Sequence, residues 1–344
     1  MATGVLLAAV SAVSFGVTTP LIRSWGAEIG PLTSAALLYA GAAALSLALR
    51  PFGPRSGRAL TRAAAPRVLL VTLFGSVLAP TLLIWGLHRA GATSSSLVLN
   101  FEAAFTVLLA WLVYREPVGR RVILAVSAMV LGGALIAFDA AHALESTRLM
   151  GLVAVLAATA CWASDNTLSR ALADEDPLDV VAAKGLLGAG ATGTLAWTFG
   201  EHLPDSAGAV ALLLCGATGY GLSLRLYLLA QRRIGAARTG SVFAAGPFVG
   251  AAVGWALGDR MAGAASALGA VAFGVGIVLH LTERHSHTHA HEPTEHEHAH
   301  RHDDGHHDHR HEPPFQGEHT HRHRHELIEH SHPHAPDIHH EHSH

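Results

Sequence analysis

Apolar runs of about twenty residues follow one another along the first 282 residues of the chain. A helix of this length, rising about 1.5 Å per residue, crosses the ~30 Å hydrocarbon layer of a membrane. The runs are continuously apolar and lack the period-two alternation of transmembrane β-strands. They predict an all-α integral membrane protein with ten spans, near residues 3–22, 32–49, 67–87, 92–113, 121–138, 150–172, 178–199, 208–230, 236–257 and 263–282.

The composition separates this apolar body from a polar C-terminal tail. Only 14% of all residues are charged, against roughly 25% in soluble proteins. Residues 1–284 hold 19 Lys and Arg against 14 Asp and Glu, whereas residues 285–344 hold 4 Arg, 12 acidic residues and 23 of the 27 His. We therefore expect a membrane body followed by an aqueous tail, residues 284–344.

Arginine is unevenly distributed among the predicted loops. Basic residues accumulate in cytoplasmic loops, and the loops after spans two, four and eight are the arginine-rich ones. Their arginines are Arg50, Arg55, Arg58, Arg62, Arg67, Arg115, Arg120, Arg121, Arg232, Arg233 and Arg238. The N-terminus is therefore predicted to be cytoplasmic, and an even number of spans returns the tail to the cytoplasm. This is the topology expected of a multi-pass protein in the plasma (inner) membrane.

The chain matches itself when it is shifted by 144–147 residues. The matched pairs include Gly91 with Gly235, Trp111 with Trp255, Phe15 with Trp162 and Pro31 with Pro177. Each half, residues 1–140 and 148–283, contains five predicted spans, and this odd number makes the halves insert in opposite orientations. Such inverted five-helix repeats are the plan of many secondary transporters, whose substrates bind where the repeats meet.

Short motifs recur at equivalent positions in the two halves. They are Ala90-Gly91-Ala92, Leu99-Asn100-Phe101-Glu102, Ala110-Trp111-Leu112, Arg115-Glu116-Pro117 and Leu131-Gly132-Gly133-Ala134-Leu135-Ile136, then Ile234-Gly235-Ala236-Ala237, Ala245-Gly246-Pro247, Trp255 and Gly258-Asp259. With these motifs, residues 1–282 resemble the EamA-like branch of the drug/metabolite transporter superfamily. The resemblance implies ten helices with both ends cytoplasmic and secondary transport of small solutes, often outward, without enzymatic activity.

Two departures from the family pattern concern the substrate. Ala103 stands where the family has a proline after the glutamate of the fourth helix. The arginine that is frequent in the second helix of each repeat is replaced by Leu38 and by Lys184. The identity of the substrate is therefore left open.

Four ionisable residues lie inside predicted spans: Glu102, Asp165, Lys184 and Arg225. Such groups cost about 2.5–3.5 kcal/mol on insertion scales and tend to face a cavity or a partner. Counted from the predicted cytoplasmic ends, the three in spans six to eight share one depth, roughly 8–10 Å. Lys184, the only lysine of the chain, is predicted to pair with Asp165, with Arg225 as a candidate third member. Alternatively, these long basic side chains extend to the membrane surface by themselves.

Glu102 lies about nine residues into the fourth span, near the bilayer midplane. It is a candidate proton-coupling group or cation ligand, with packing between helices as the alternative. Asn100, and Asn166 beside Asp165, are further candidates for the substrate pathway. At about 100° per residue, Asn100 and Glu102 are about 200° apart on a regular helix, so they are not expected to line one narrow cavity.

Histidines alternate along the tail. Its low apolar content, with Pro and Gly, predicts disorder. Neutral imidazole is a common ligand of Zn, Cu and Ni, so the tail is predicted to bind Ni, Zn, Co or Cu ions, although no cofactor is required for activity. The candidate ligands are His285, His287, His289, His291, His296, His298, His300, His302, His306, His307, His309 and His311. A pH-responsive polycation and a tail without function are the alternatives.

Three functions remain open for the whole chain. The first is transport of a small metabolite or drug-like solute, with efflux favoured and the tail as an accessory. The second is export of a divalent transition metal such as Ni, Co or Zn, which the tail collects or senses. The third is a membrane-tethered metal buffer without transport. In each case the lipid bilayer is a partner, a homodimer remains open, and nucleic acid is not an expected partner.

Overall fold

The computed structural model describes most of the membrane body and four short stretches of the tail. The described residues are 2–52, 57–114, 119–142, 146–169, 172, 175–234, 236–260, 263–281, 285–291, 295–300, 319–324 and 328–334. The chain divides into two compact units, Met1–Glu283 and Arg284–His344. This boundary coincides with the predicted start of the tail.

The first unit is built from α-helices. In chain order they are α1 (Ala2–Trp25), α2 (Pro31–Leu49), α3 (Ala65–Thr72), α4 (Ala79–Ala90), α5 (Ala92–Val98), α6 (Phe101–Tyr114), α7 (Arg120–His142), α8 (Ser146–Ser169), α9 (Pro177–Thr198), α10 (Ser206–Cys215), α11 (Ser223–Ile234), α12 (Ala236–Phe243), α13 (Gly246–Ala256) and α14 (Ala264–Leu281). Helices suit a bilayer because each satisfies its own backbone hydrogen bonds. Seven helical stretches of the described residues are long and apolar enough to cross a membrane. The prediction of an all-α, multi-pass membrane protein is confirmed.

The other three predicted spans are also helical in the described residues. They are covered by α9, by α12 together with α13, and by α14. Each of these three is shorter or less hydrophobic than the seven helical stretches that are long and apolar enough to cross a membrane. In α9 the apolar run is interrupted by Asp179 and Lys184, and a break separates α12 from α13. The count of ten spans therefore stays a prediction.

Both halves contain the same two irregularities. A π-helical segment joins α3 to α4 at Leu73–Leu78, and another joins α10 to α11 at Gly216–Leu222. A break separates α5 from α6 and, in the second half, α12 from α13. The π-helical segments begin 143 residues apart and the helices after the breaks begin 145 residues apart, close to the repeat in the sequence. Such discontinuities release backbone groups and often mark functional sites.

Helices at equivalent positions in the two halves pack against each other. α2 packs along α9, and α7 packs along α14. α5 packs along α13, so the equivalent spans four and nine also meet. α7 and α14 approach each other closely at Gly132 and Gly269. A Cβ added to Gly132 would lie 2.8 Å from the Gly269 backbone oxygen, and one added to Gly269 would lie 2.7 Å from the Gly132 backbone oxygen. α8, the first helix of the second half, packs against α4 and α6 of the first half. Side chains on this face of α8 therefore lie between the two halves.

Four strands are described in the tail: β1 (His285–His291), β2 (Glu295–His300), β3 (His319–Arg324) and β4 (Ile328–His334). β1 pairs antiparallel with β4, and β2 pairs antiparallel with β3. The composition predicts disorder instead, and an isolated two-stranded ribbon is at best marginally stable in water. Disorder of the tail in solution thus stays a prediction.

Candidate functional site

A buried ion pair joins α8 to α9. Lys184 Nζ lies 2.8 Å from Asp165 Oδ1 and 2.6 Å from Asp165 Oδ2. Ser169 Oγ also donates a hydrogen bond to Asp165 Oδ1, at 3.2 Å. Asp165 is only 6% exposed and Lys184 only 8%, so Lys184 is directed into the protein and does not extend along its surface. The structure brings together the two residues that the sequence predicted as a pair.

The π-helical segment at Leu73–Leu78 makes room for this pair. Gly75 faces the Asp165 carboxylate so closely that a Cβ at this position would overlap it. The Gly75 carbonyl accepts hydrogen bonds from the Tyr39 hydroxyl and from Trp162 Nε1, the latter at 3.1 Å. Three helical stretches, α2, the π-helical segment and α8, thus meet at one glycine beside the ion pair.

Aromatic rings from both halves surround Phe15 near this point. The Phe15 ring centroid lies 6.2 Å from that of Trp162, 6.1 Å from that of Tyr220 and 5.5 Å from that of Phe243. Tyr39 continues the cluster at 5.4 Å from Tyr220. We call these five residues the aromatic cluster; it supplies an apolar surface next to the polar groups at Gly75.

Glu102 contacts α8 at the residue next to Asp165. Its Oε1 accepts a hydrogen bond of 2.7 Å from Asn166 Nδ2, and Asn166 directly follows Asp165 in α8. Asn100 is buried in the break between α5 and α6, where its Nδ2 donates to the Leu97 carbonyl at 2.9 Å. The angle of about 200° expected between Asn100 and Glu102 presumes a regular helix. The break between α5 and α6 removes that premise, so whether the two residues line one cavity stays a prediction.

Arg225 lies in α11 and is half-buried. Among the described residues, the cation paired with Asp165 is Lys184 and not Arg225. α11 packs mainly against α1 and α12, whereas α8 packs mainly against α4 and α6. The structure therefore brings together two of the three residues predicted at this depth.

The repeat gives the Asp165–Lys184 site an equivalent place in the other half of the protein, and that place carries no charge. A Cβ on Gly219, in the second π-helical segment, would meet the Thr18 side chain, just as one on Gly75 would meet Asp165. Thr18 precedes Asp165 by 147 residues, which is the shift that aligns Phe15 with Trp162. In the same repeat the positions of Lys184 and Glu102 correspond to Leu38 and Gly246. The charged site is therefore formed once, although the fold provides two equivalent places.

Ion pairs also join the two halves near the helix ends. Arg50, at the end of α2, lies 3.2 Å from Asp176 and 2.9 Å from Asp179 at the start of α9. In the sequence, Arg50 is only a marker of the predicted topology. The sequence gives no local sign of these contacts, because the two carboxylates follow Arg50 by 126 and 129 residues.

A second inter-half ion pair lies where α1 ends. Arg23 lies 3.1 Å from Asp259, whose Oδ2 also accepts a hydrogen bond of 2.8 Å from the Thr93 backbone N–H. Arg23, His88 and Asp259 are among the residues lining a pocket of about 490 Å³. None of the lining residues belongs to the Asp165–Lys184 pair or to its Gly75 contact, so this pocket is separate from the buried site.

Seven predicted tail ligands lie on the described strands at alternating positions. They are His285, His287, His289 and His291 on β1, and His296, His298 and His300 on β2. Alternate residues of a strand share one face. In the register of the paired strands, His287 stands opposite His332 and His298 opposite His321. The remaining predicted ligands, His302, His306, His307, His309 and His311, lie outside the described residues.

The sequence profile of the EamA-like transporter family matches this chain twice, over residues 2–138 and 149–282. The chain belongs to the EamA-like transporter family. The resemblance predicted from the motifs is therefore confirmed: the chain is a member of a family of membrane transporters. The two matched stretches contain the Asp165–Lys184 pair and Glu102.

The chain is also similar to one named transporter and to one solved structure. An uncharacterized transporter of Methanothermobacter thermautotrophicus strain Delta H is 29% identical over 194 residues, which are 54% of this chain and 55% of the relative. The chain thus spans about half the length of this relative. A solved crystal structure of another protein has a TM-score of 0.58 at 18% identity, covering 80% of this chain and 94% of the other. At that identity the likeness concerns the fold alone.

Proposed function

We propose that this EamA-like transporter is a secondary transporter that moves a small metabolite or drug-like solute outward, and that the solute binds beside Asp165 and Lys184. The buried ion pair carries this proposal. It offers a carboxylate and an ammonium group in one site, so a charged group of the solute can replace either partner without leaving the other unpaired. The aromatic cluster supplies apolar surface for the remainder of a small molecule.

The proposed architecture is ten spans in two inverted five-helix repeats, with both termini in the cytoplasm and the body in the plasma membrane. The matching irregularities of the two halves and the packing of equivalent helices support this plan. In transporters of this kind, one repeat rocks against the other around a site at the repeat interface. The face of α8 that carries Asp165 lies at such an interface.

Transport by the purified protein in liposomes tests the proposal. The assay uses a panel of labelled amino acids, amines, organic acids and planar aromatic cations. For any solute that the wild type moves, Lys184→Ala and Asp165→Ala should lower the rate about tenfold or more, because each removes a group that binds the solute. Arg233→Ala, at an exposed basic residue of α11, should leave the rate unchanged.

Exchanging the two charges separates binding from a structural role. The double variant Asp165→Lys/Lys184→Asp retains one carboxylate and one ammonium group but reverses their positions. If the pair only holds α8 to α9, this variant should regain the transport lost in Lys184→Ala. Such a recovery would contradict the proposal, since a solute-binding site depends on which charge stands beside the aromatic cluster.

A second candidate, export of Ni, Co or Zn, is favoured by the tail and by the cross-strand register of its histidines. In the part of the chain that the structure describes, no group of three or more His, Cys, Asp and Glu is arranged to hold a metal ion. Adding these three metals, and Cu, to the same transport panel compares the two candidates. Metal efflux that requires residues 285–344 would favour metal export over the organic solute.

A further inference from the structure

Glu102 differs from Asp165 in how its charge is compensated. Asp165 receives an ammonium group at both carboxylate oxygens. Glu102 receives the neutral amide of Asn166 at Oε1, and within the described residues it forms no ion pair with a cation. Its position in the first turn of α6, directly after the break, places it far from both ends of the stretch Ala92–Val113.

Within the described residues, the helices packed against Glu102 carry no cation at its level. α6 packs against α7 and α8. Between Arg121 and Asp139, α7 carries no charged residue. In α8 the charged residue near Glu102 is Asp165, a carboxylate whose counter-ion is already Lys184. An uncompensated carboxylate at this depth is costly, and binding a proton removes that cost without any rearrangement of helices.

We propose that Glu102 is the proton-binding residue of this transporter and that its protonation couples solute movement to a proton gradient. The inference rests on the proposed function, because coupling requires that a solute is moved. Asp165 and Asn166 are neighbours on α8, so a solute that opens the Asp165–Lys184 pair displaces the same turn that holds Glu102. Proton binding at Glu102 and solute binding at Asp165 are thereby linked through one helical turn.

Proton binding is measured without any solute. Infrared spectra of the purified protein in lipid nanodiscs, recorded from about pH 5 to about pH 9, follow the C=O stretch of protonated carboxyl groups. A titrating band of the wild type should be absent from Glu102→Gln and present in Asp165→Asn. Glu102→Gln keeps an oxygen that accepts the Asn166 hydrogen bond, so folding should be preserved. The same titrating band in the wild type and in Glu102→Gln would overturn the proposal.

Coupling is measured with whichever solute of the transport panel the wild type moves. Glu102→Gln should lose the acceleration of that solute's movement by a pH gradient, whereas Arg233→Ala, outside the site, should keep it. A retained response to the gradient would contradict coupling at Glu102. If the wild type moves no solute of the panel, the proposed function fails, whereas the infrared titration still decides whether Glu102 binds a proton.

Discussion

Asp165 binds the Lys184 ammonium group with both carboxylate oxygens, at 2.8 and 2.6 Å. Because the pair is buried between α8 and α9, a charge that loses its partner there is poorly solvated. Removing one of the two charges should therefore change the free energy of unfolding differently from removing both. This difference can be measured without a transport assay.

We expect Lys184→Met to destabilise the protein by about 3–5 kcal/mol, because it leaves the Asp165 carboxylate buried and unpaired. The double variant Asp165→Asn/Lys184→Met removes both charges and should recover most of that loss. Unfolding in detergent, analysed as a double-mutant cycle with Asp165→Asn, gives the coupling free energy. Additive effects of the two single substitutions would show that the pair is energetically uncoupled.

Gly75→Ala should disrupt the site through a single methyl group. The new Cβ would overlap the Asp165 carboxylate, and such overpacking costs about 1–3 kcal/mol. Gly190→Ala is the matched control, because it lies in α9 and a Cβ there would meet nothing within 4 Å. Thermal unfolding and transport should both fall for Gly75→Ala and stay near wild type for Gly190→Ala. Equal effects of the two substitutions would argue against a special role of Gly75.

The helices and the Asp165–Lys184 pair were predictable because their signals are simple. Long apolar runs define spans, and a single lysine at the depth of an aspartate in the preceding span defines a pair. The role of Gly75 was not predictable, because a π-helical segment leaves no mark in the local sequence and the glycine resembles many others in the chain. The contacts of Tyr39 and Trp162 depend on the carbonyl that this segment presents, so they too required the structure.

Asp259 should stabilise the protein more through its hydrogen bond to the Thr93 N–H than through its ion pair with Arg23. The Arg23 side chain is 37% exposed, and exposed ion pairs contribute about 0–1 kcal/mol. Asp259→Asn keeps an oxygen for the Thr93 N–H and should cost little, whereas Asp259→Ala removes it and should cost about 1–3 kcal/mol. Thermal unfolding of the two variants compares them, and an equal loss would assign the stabilisation to the charge.

Both termini should face the cytoplasm, because the arginine asymmetry and the parity of the predicted spans agree. Reporter fusions placed after Arg58 and after Arg284 should both give the cytoplasmic signal. A periplasmic or external signal from either position would contradict the proposed inverted repeats, since five spans per half is what makes the two halves insert in opposite orientations.

Removal of residues 285–344 should leave a folded membrane body, because the tail forms a separate compact unit and contains 23 of the 27 histidines. The truncated protein should lose most of its bound Ni or Zn in calorimetry, while full-length protein binds several ions. Binding should weaken as the pH falls below about 6, since imidazoles with an ordinary pKa near 6.5 become protonated and can no longer ligate metal.

An organic solute moved at the full-length rate by the truncated carrier would make the tail an accessory. Absence of metal binding by the full-length protein at neutral pH would refute both the metal-export and the metal-buffer hypotheses.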